Sequence, residues 1–127
     1  MLSLPSTVRV YAAVGTVDMR RSFDGLAAAT RTVLQQDPMS GALFLFFNRR
    51  LDLVKCLWWD RGGWCLFAKR LGKGTFKRPP AADATASAVE IDGTALAMIL
   101  DGIDLRSTRR RQRFEPRVLP QNAEFPT

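Results

Sequence analysis

Three runs of β-forming residues, near 42–47, 53–59 and 64–70, follow one another with only a five-residue and a four-residue connection between them. Connections this short cannot carry a crossover, so the runs must pair as an antiparallel meander. The same stretch is unusually basic. Between Leu43 and Arg78 there are nine Lys or Arg and two Asp, a balance of +7. A sheet this aromatic and this cationic at once constrains both the fold and the class of partner.

The second connection, Asp60-Arg61-Gly62-Gly63, predicts a type I turn closed by a left-handed glycine, a three-residue hairpin loop. On that register residue 60 faces 64, 57 faces 67 and 55 faces 69. One face would then collect Val54, Cys56, Trp58, Leu66 and Ala68, the natural seat for the long helix expected over residues 22–36. The other would collect Lys55, Leu57, Trp59, Cys65, Phe67 and Lys69. Cys56 and Cys65 would point to opposite faces and form no disulfide.

The flanks complete the fold. Residues 8–14 (VRVYAAV) alternate as a strand. Phe23, Leu26, Ala27, Thr30, Val33 and Leu34 recur at helical spacing, predicting a long helix over 22–36 with Ser22 as N-cap and Asp24 on the positive end of the helix dipole. Asp37-Pro38 would end it. Residues 72–80 read as an irregular arm and 81–88 as a linker. Residues 89–91 form a candidate short strand, and 95–101 a short helix capped by Asp92 or Thr94 and stopped by Gly102. The expected fold is α+β: an antiparallel sheet of about four strands, one long helix across a face and a short C-terminal helix. One domain spans 1–105, and a basic, flexible tail spans 106–127.

Charge is segregated along the chain. Of the net +7, residues 1–42 carry +1, the tail 106–127 carries +4, and residues 81–105 carry −5. A sequence pI near 10.4 suggests a nucleic acid or an anionic surface as partner. The alternative is a surplus of solvated surface arginine. No apolar run is long enough to cross a bilayer, and the N-terminus lacks a signal-peptide pattern. Two cysteines fit a reducing, cytoplasmic location.

Catalysis finds little support. There is no histidine. Gly72-Lys73-Gly74 lacks the spacing of a phosphate loop, and two cysteines cannot fill a zinc shell. No cofactor or metal is expected, and the chain reads as non-enzymatic. A magnesium-dependent nuclease using Asp18 or Asp60 is the weakest alternative, since Asp60 already has a use as a turn residue. Backbone or shape binding of DNA is the leading class, through Arg49, Arg50, Lys55, Lys69, Arg70, Lys73, Lys77 and Arg78, assisted by Arg109, Arg110 and Arg111 of the tail. The competing reading is a protein-interaction subunit in which Trp59 and Phe67 are the partner contacts. Arg20 and Arg21 either touch a phosphate or pair with Asp18 and Asp24.

Several ordered motifs carry a resemblance: Asp18-Met19-Arg20-Arg21-Ser22-Phe23-Asp24-Gly25-Leu26, Asn48-Arg49-Arg50, Trp59-Asp60-Arg61, Lys69-Arg70-Leu71, and Gly74-x-Phe76 with Pro79. Over about residues 2–105 the chain resembles the second-open-reading-frame (TnpB-type) accessory proteins of the insertion sequence sixty-six group. Arg78 stands where that family usually has a tryptophan. The resemblance implies a role in transposition beside a separate transposase that carries the catalytic carboxylates. It leaves open whether this chain contacts DNA or the transposase.

Overall fold

A computed structural model describes residues 8–102. The expected tail, with Arg109, Arg110 and Arg111, lies outside them. Five strands and two helices follow in the order β1 (Val10–Ala13), α1 (Phe23–Thr32), β2 (Leu43–Phe47), β3 (Leu53–Asp60), β4 (Gly63–Arg70), β5 (Ala88–Ile91) and α2 (Gly93–Asp101). They build one mixed sheet in the order β4-β3-β2-β1-β5.

The meander β2-β3-β4 is antiparallel, as its short connections require. The all-antiparallel, four-strand expectation needs correction. β1 runs parallel to β2, because α1 carries the chain back along the sheet before β2 begins. β5 adds a fifth strand, antiparallel to β1. β2 is central, and its run LFLFF is buried on both faces, as a covered central strand should be.

Two cores result, one on each side of the sheet. On one side α1 covers Phe44, Phe46 and Leu57 with Leu26, Ala27 and Ala29, so the long helix sits on the Leu57 face of β3 and not on the expected Cys56 face. On the other, Leu96 and Ile99 of α2 cover Val10, Leu45, Phe47, Val54 and Cys56. Phe76 completes this second core, fully buried and edge-on to Phe47 at a centroid distance of 6.5 Å.

α1 is shorter than the periodicity predicts. The chain unwinds at Gln35, whose φ of 55° is left-handed, so the helix ends before Asp37-Pro38 is reached. Ser22 precedes the helix, but its hydroxyl makes no capping bond; its carbonyl accepts from Leu26 N–H. α2 follows expectation more closely. Asp92 accepts from Ala95 N–H at 2.7 Å, and Gly102 ends the helix at φ 88°.

The β3–β4 hairpin also differs. Its loop is the two residues Arg61 and Gly62, with φ of 50° and 86°, the left-handed pair of a type I′ turn. Asp60 therefore faces Gly63, and Leu57 faces Leu66. The one-residue shift exchanges the faces of β4. Cys65, Phe67 and Lys69 join Cys56 on the α2 side, and Leu66 joins Leu57 under α1. The cysteines share a face rather than opposing ones. They are nonetheless unbonded, since Cys56 stands opposite Phe67 and Cys65 opposite Trp58.

Candidate nucleic-acid interface

One end of the sheet gathers the C-terminal ends of β1, β2 and β4, the start of β3 and the start of α1. Three irregular segments meet there, and each is held by named bonds.

The β2–β3 loop is organised by Asn48. Its side-chain oxygen accepts from the N–H of Asp52 and of Leu53, both at 3.1 Å, and its amide donates to Asp52 Oδ1 at 2.6 Å. Leu51 takes a left-handed φ of 59° inside this frame. Arg49 and Arg50, with every other polar role in the loop already filled, project as exposed side chains. The Asn48 amide, with Arg50 and Arg70 nearby, holds the Asp52 carboxyl below its ordinary pKa.

The arm after β4 wraps this loop. Leu71 N–H donates to Asp52 O at 2.8 Å and Phe76 N–H to Leu51 O at 2.6 Å. Burial of Phe76 pins the arm and leaves Lys73 and Lys77 exposed on either side of it. Arg78 then donates from Nη1 to the carbonyl of Val14, just beyond β1. The arm thus crosses the sheet end from β4 to β1.

The third segment is the β1–α1 junction, the stretch DMRRSFDGL. Arg20 grips Asp18 as a fork, Nε to Oδ1 at 3.0 Å and Nη2 to Oδ2 at 2.9 Å, and Arg20 N–H donates to Oδ1 as well. These bonds pull the Asp18 carboxyl down to about 2. Arg20 therefore takes the pairing alternative, while Arg21 is exposed. Gly25 accounts for Arg21's path: a Cβ at 25 would lie 2.9 Å from Arg21 Cβ, so only glycine lets the arginine stem lie along the first turn of α1.

Besides Arg78, which donates to the Val14 carbonyl, two lysines among the expected DNA contacts also hold backbone. Lys55 donates from Nζ to the carbonyls of Met19 at 2.8 Å and Arg21 at 2.9 Å, tying β3 to the junction. Lys69 donates to the carbonyl of Leu100 at 2.9 Å, at the negative end of the α2 dipole. Both ammonium groups hold backbone. The exposed basic surface at this end is carried by Arg49, Arg50, Arg70, Lys73, Lys77 and Arg21. The far end of the sheet carries Arg9, Arg31 and Arg61 together with Asp37, Asp60, Glu90 and Asp92, and there Arg9 lies 3.9 Å from Glu90. Of the acidic residues in 81–105, Asp83, Glu90 and Asp92 form no ion pair with Arg49, Arg50, Arg70, Lys73 or Lys77 among the described residues.

Trp59 and Phe67 do not share a face. Trp59 packs edge-on against Trp64 at 4.9 Å on the α1 side, whereas Phe67 packs against the α2-side core. Both are half-buried. What the sequence did not disclose is the supporting role of two residues: Phe76, a single large apolar residue in a polar arm, is buried in the core, and Lys55 is a staple whose carbonyl partners lie more than thirty residues away.

The family model described as "IS66 Orf2 like protein" matches residues 8–110. The chain belongs to the IS66 Orf2-like family. Two relatives come from Sinorhizobium fredii (strain NBRC 101917 / NGR234). The uncharacterized protein y4hO is 42% identical over 106 residues, covering 84% of this chain and 90% of that protein. The uncharacterized protein y4jC is 32% identical over 104 residues, covering 82% and 86%. No solved structure gives a significant match. Membership in the IS66 Orf2-like family points to an accessory role in transposition and to association with an IS66 transposase. No helix among the described residues is long and apolar enough to cross a membrane.

Proposed function

We propose that this IS66 Orf2-like protein is a non-catalytic accessory factor that binds DNA through the basic end of its sheet and assists a separate transposase. The observation that carries this reading is the convergence of three irregular segments on one sheet end, each held so that its arginines or lysines project. Arg49 and Arg50 supply forks that match phosphate geometry, and Arg70, Lys73 and Lys77 extend the positive surface along the arm. Contacts of this kind recognise backbone and shape rather than base sequence.

The test is binding to transposon-end and scrambled duplexes over a salt series. Affinity should fall steeply with salt on both, and Arg49→Ala with Arg50→Ala should flatten the logarithmic slope by about 2, near 0.9 per lost phosphate contact. A slope unchanged by the double substitution would remove these residues from the interface.

A second reading is favoured by the Trp59–Trp64 pair, which leaves two large aromatic rings half-buried on the hairpin. There the transposase itself is the partner, and its co-purification would survive high salt and be lost on Trp59→Ala.

A further inference from the structure

We propose that β4 pairs antiparallel with the β4 of a second copy of this chain, centred on Leu66, so that two molecules share one continuous sheet.

β4 closes the sheet order, and among the described residues no strand lies on its outer side. The two-residue loop makes Asp60 and Gly63 a hydrogen-bonded pair, and the ladder alternates from there. Trp64, Leu66 and Ala68 therefore turn their N–H and C=O groups outward. Edges of this kind are usually guarded by a proline, a bulge or a charge. Residues 63–68 contain no proline or charge and pair with β3 residue for residue. Lys69, the nearest charge, has its ammonium on the Leu100 carbonyl and does not guard the edge.

The strand complements itself. Centred on Leu66, where the two leucines meet, the partner's Ala68 faces Trp64 on the α1 side and the partner's Phe67 faces Cys65 on the α2 side, so a large side chain meets a smaller one on either side of the central pair. Lys69 and Arg70 fall opposite the partner's Gly63 and Gly62, and no like charges stand directly opposite one another. Moving the centre to residue 68 would set Arg70 beside Leu66 and Lys69 beside Phe67. Moving it to residue 64 would use only the start of the strand. Trp64, Cys65, Leu66 and Phe67 are each half-buried in the single chain and would be covered by the second.

The twofold axis of this pairing stands perpendicular to the sheet, which sends the two basic ends in opposite directions. One dimer would then hold two duplex segments. That consequence rests on the nucleic-acid reading; the strand pairing does not.

Sedimentation velocity of the full chain in reductant, across a wide concentration range, tests the pairing. The wild type should sediment as a dimer. Leu66→Lys places two ammonium groups at the axis and should give a monomer with unchanged circular dichroism. Ala68→Pro removes one outward N–H and should do the same, which keeps the test available if the lysine variant fails to fold. Mixing Leu66→Lys with Leu66→Glu should restore the dimer. A wild type that stays monomeric at the highest concentration, or a dimer that persists in both folded variants, would overturn the proposal. The monomeric variants should bind one duplex with the wild-type salt slope but no longer bridge two. A dimeric wild type that binds no DNA would remove the nucleic-acid reading and leave the pairing standing.

Discussion

Lys55 Nζ lies 2.8 Å from the carbonyl oxygen of Met19, and a second bond reaches Arg21 O. A lysine in the middle of a strand thus holds the loop that delivers Arg20 and Arg21 to the sheet end. Replacing Lys55 with Met keeps the aliphatic stem and removes both charge-assisted bonds. The expected cost is about 1.5–3 kcal/mol of folding stability, read from urea unfolding. DNA affinity should fall while the salt slope stays near the wild-type value, because the ammonium is engaged with backbone.

Asp18 should titrate far below an ordinary carboxylate. Its folded pKa of about 2 lies beneath the ordinary value of 3.8, chiefly because the Arg20 fork stabilises the ionised form. A depressed folded pKa contributes stability that is present above the unfolded value and is lost as pH falls through the folded one. The relevant window is therefore between about pH 4 and pH 2. Asp18 is exposed, so salt will weaken the effect. Carboxyl NMR should show a midpoint near 2 in the wild type and a clear upward shift in Arg20→Gln.

Phe76 couples stability to the proposed DNA surface. Its ring is fully buried against Phe47, so Phe76→Ala should cost about 3–5 kcal/mol in denaturant unfolding. The arm bearing Lys73 and Lys77 would lose its pin. The variant, studied below its unfolding midpoint, should lose more DNA affinity than Lys73→Ala alone.

The hairpin offers a stabilising change. Arg61 is a side-chain-bearing residue at φ 50°, a region that asparagine tolerates better, and Asn-Gly is the favoured type I′ pair. Arg61→Asn should raise the thermal midpoint. Gly62→Ala, at φ 86°, should lower it.

Much of this architecture was legible in the sequence, and the exceptions have physical causes. The meander followed from loop lengths, and α2 followed from Asp92 and Gly102. The parallel direction of β1 was hidden because strand polarity depends on where a helix packs, not on local pattern. The hairpin register turned on one dihedral: reading Arg61 as right-handed gives a three-residue loop, and its actual left-handed φ removes one residue and exchanges the faces of β4. Exposed cations such as Arg49, Arg50 and Lys73 could be named from charge alone. Lys55 and Lys69 could not be separated from them, because a staple and a phosphate contact are the same residue type until the facing carbonyl is known.

In the proposed reading, DNA meets the end of the sheet where these segments converge. Titrating the isotopically labelled chain with a short duplex at low salt, and following backbone amide shifts, tests it most directly. Shifts concentrated in residues 18–22, 48–53 and 70–78, with residues 31–41 and 60–63 unmoved, are the predicted result. Shifts confined to the hairpin around Trp59, or spread evenly over both ends, would contradict it.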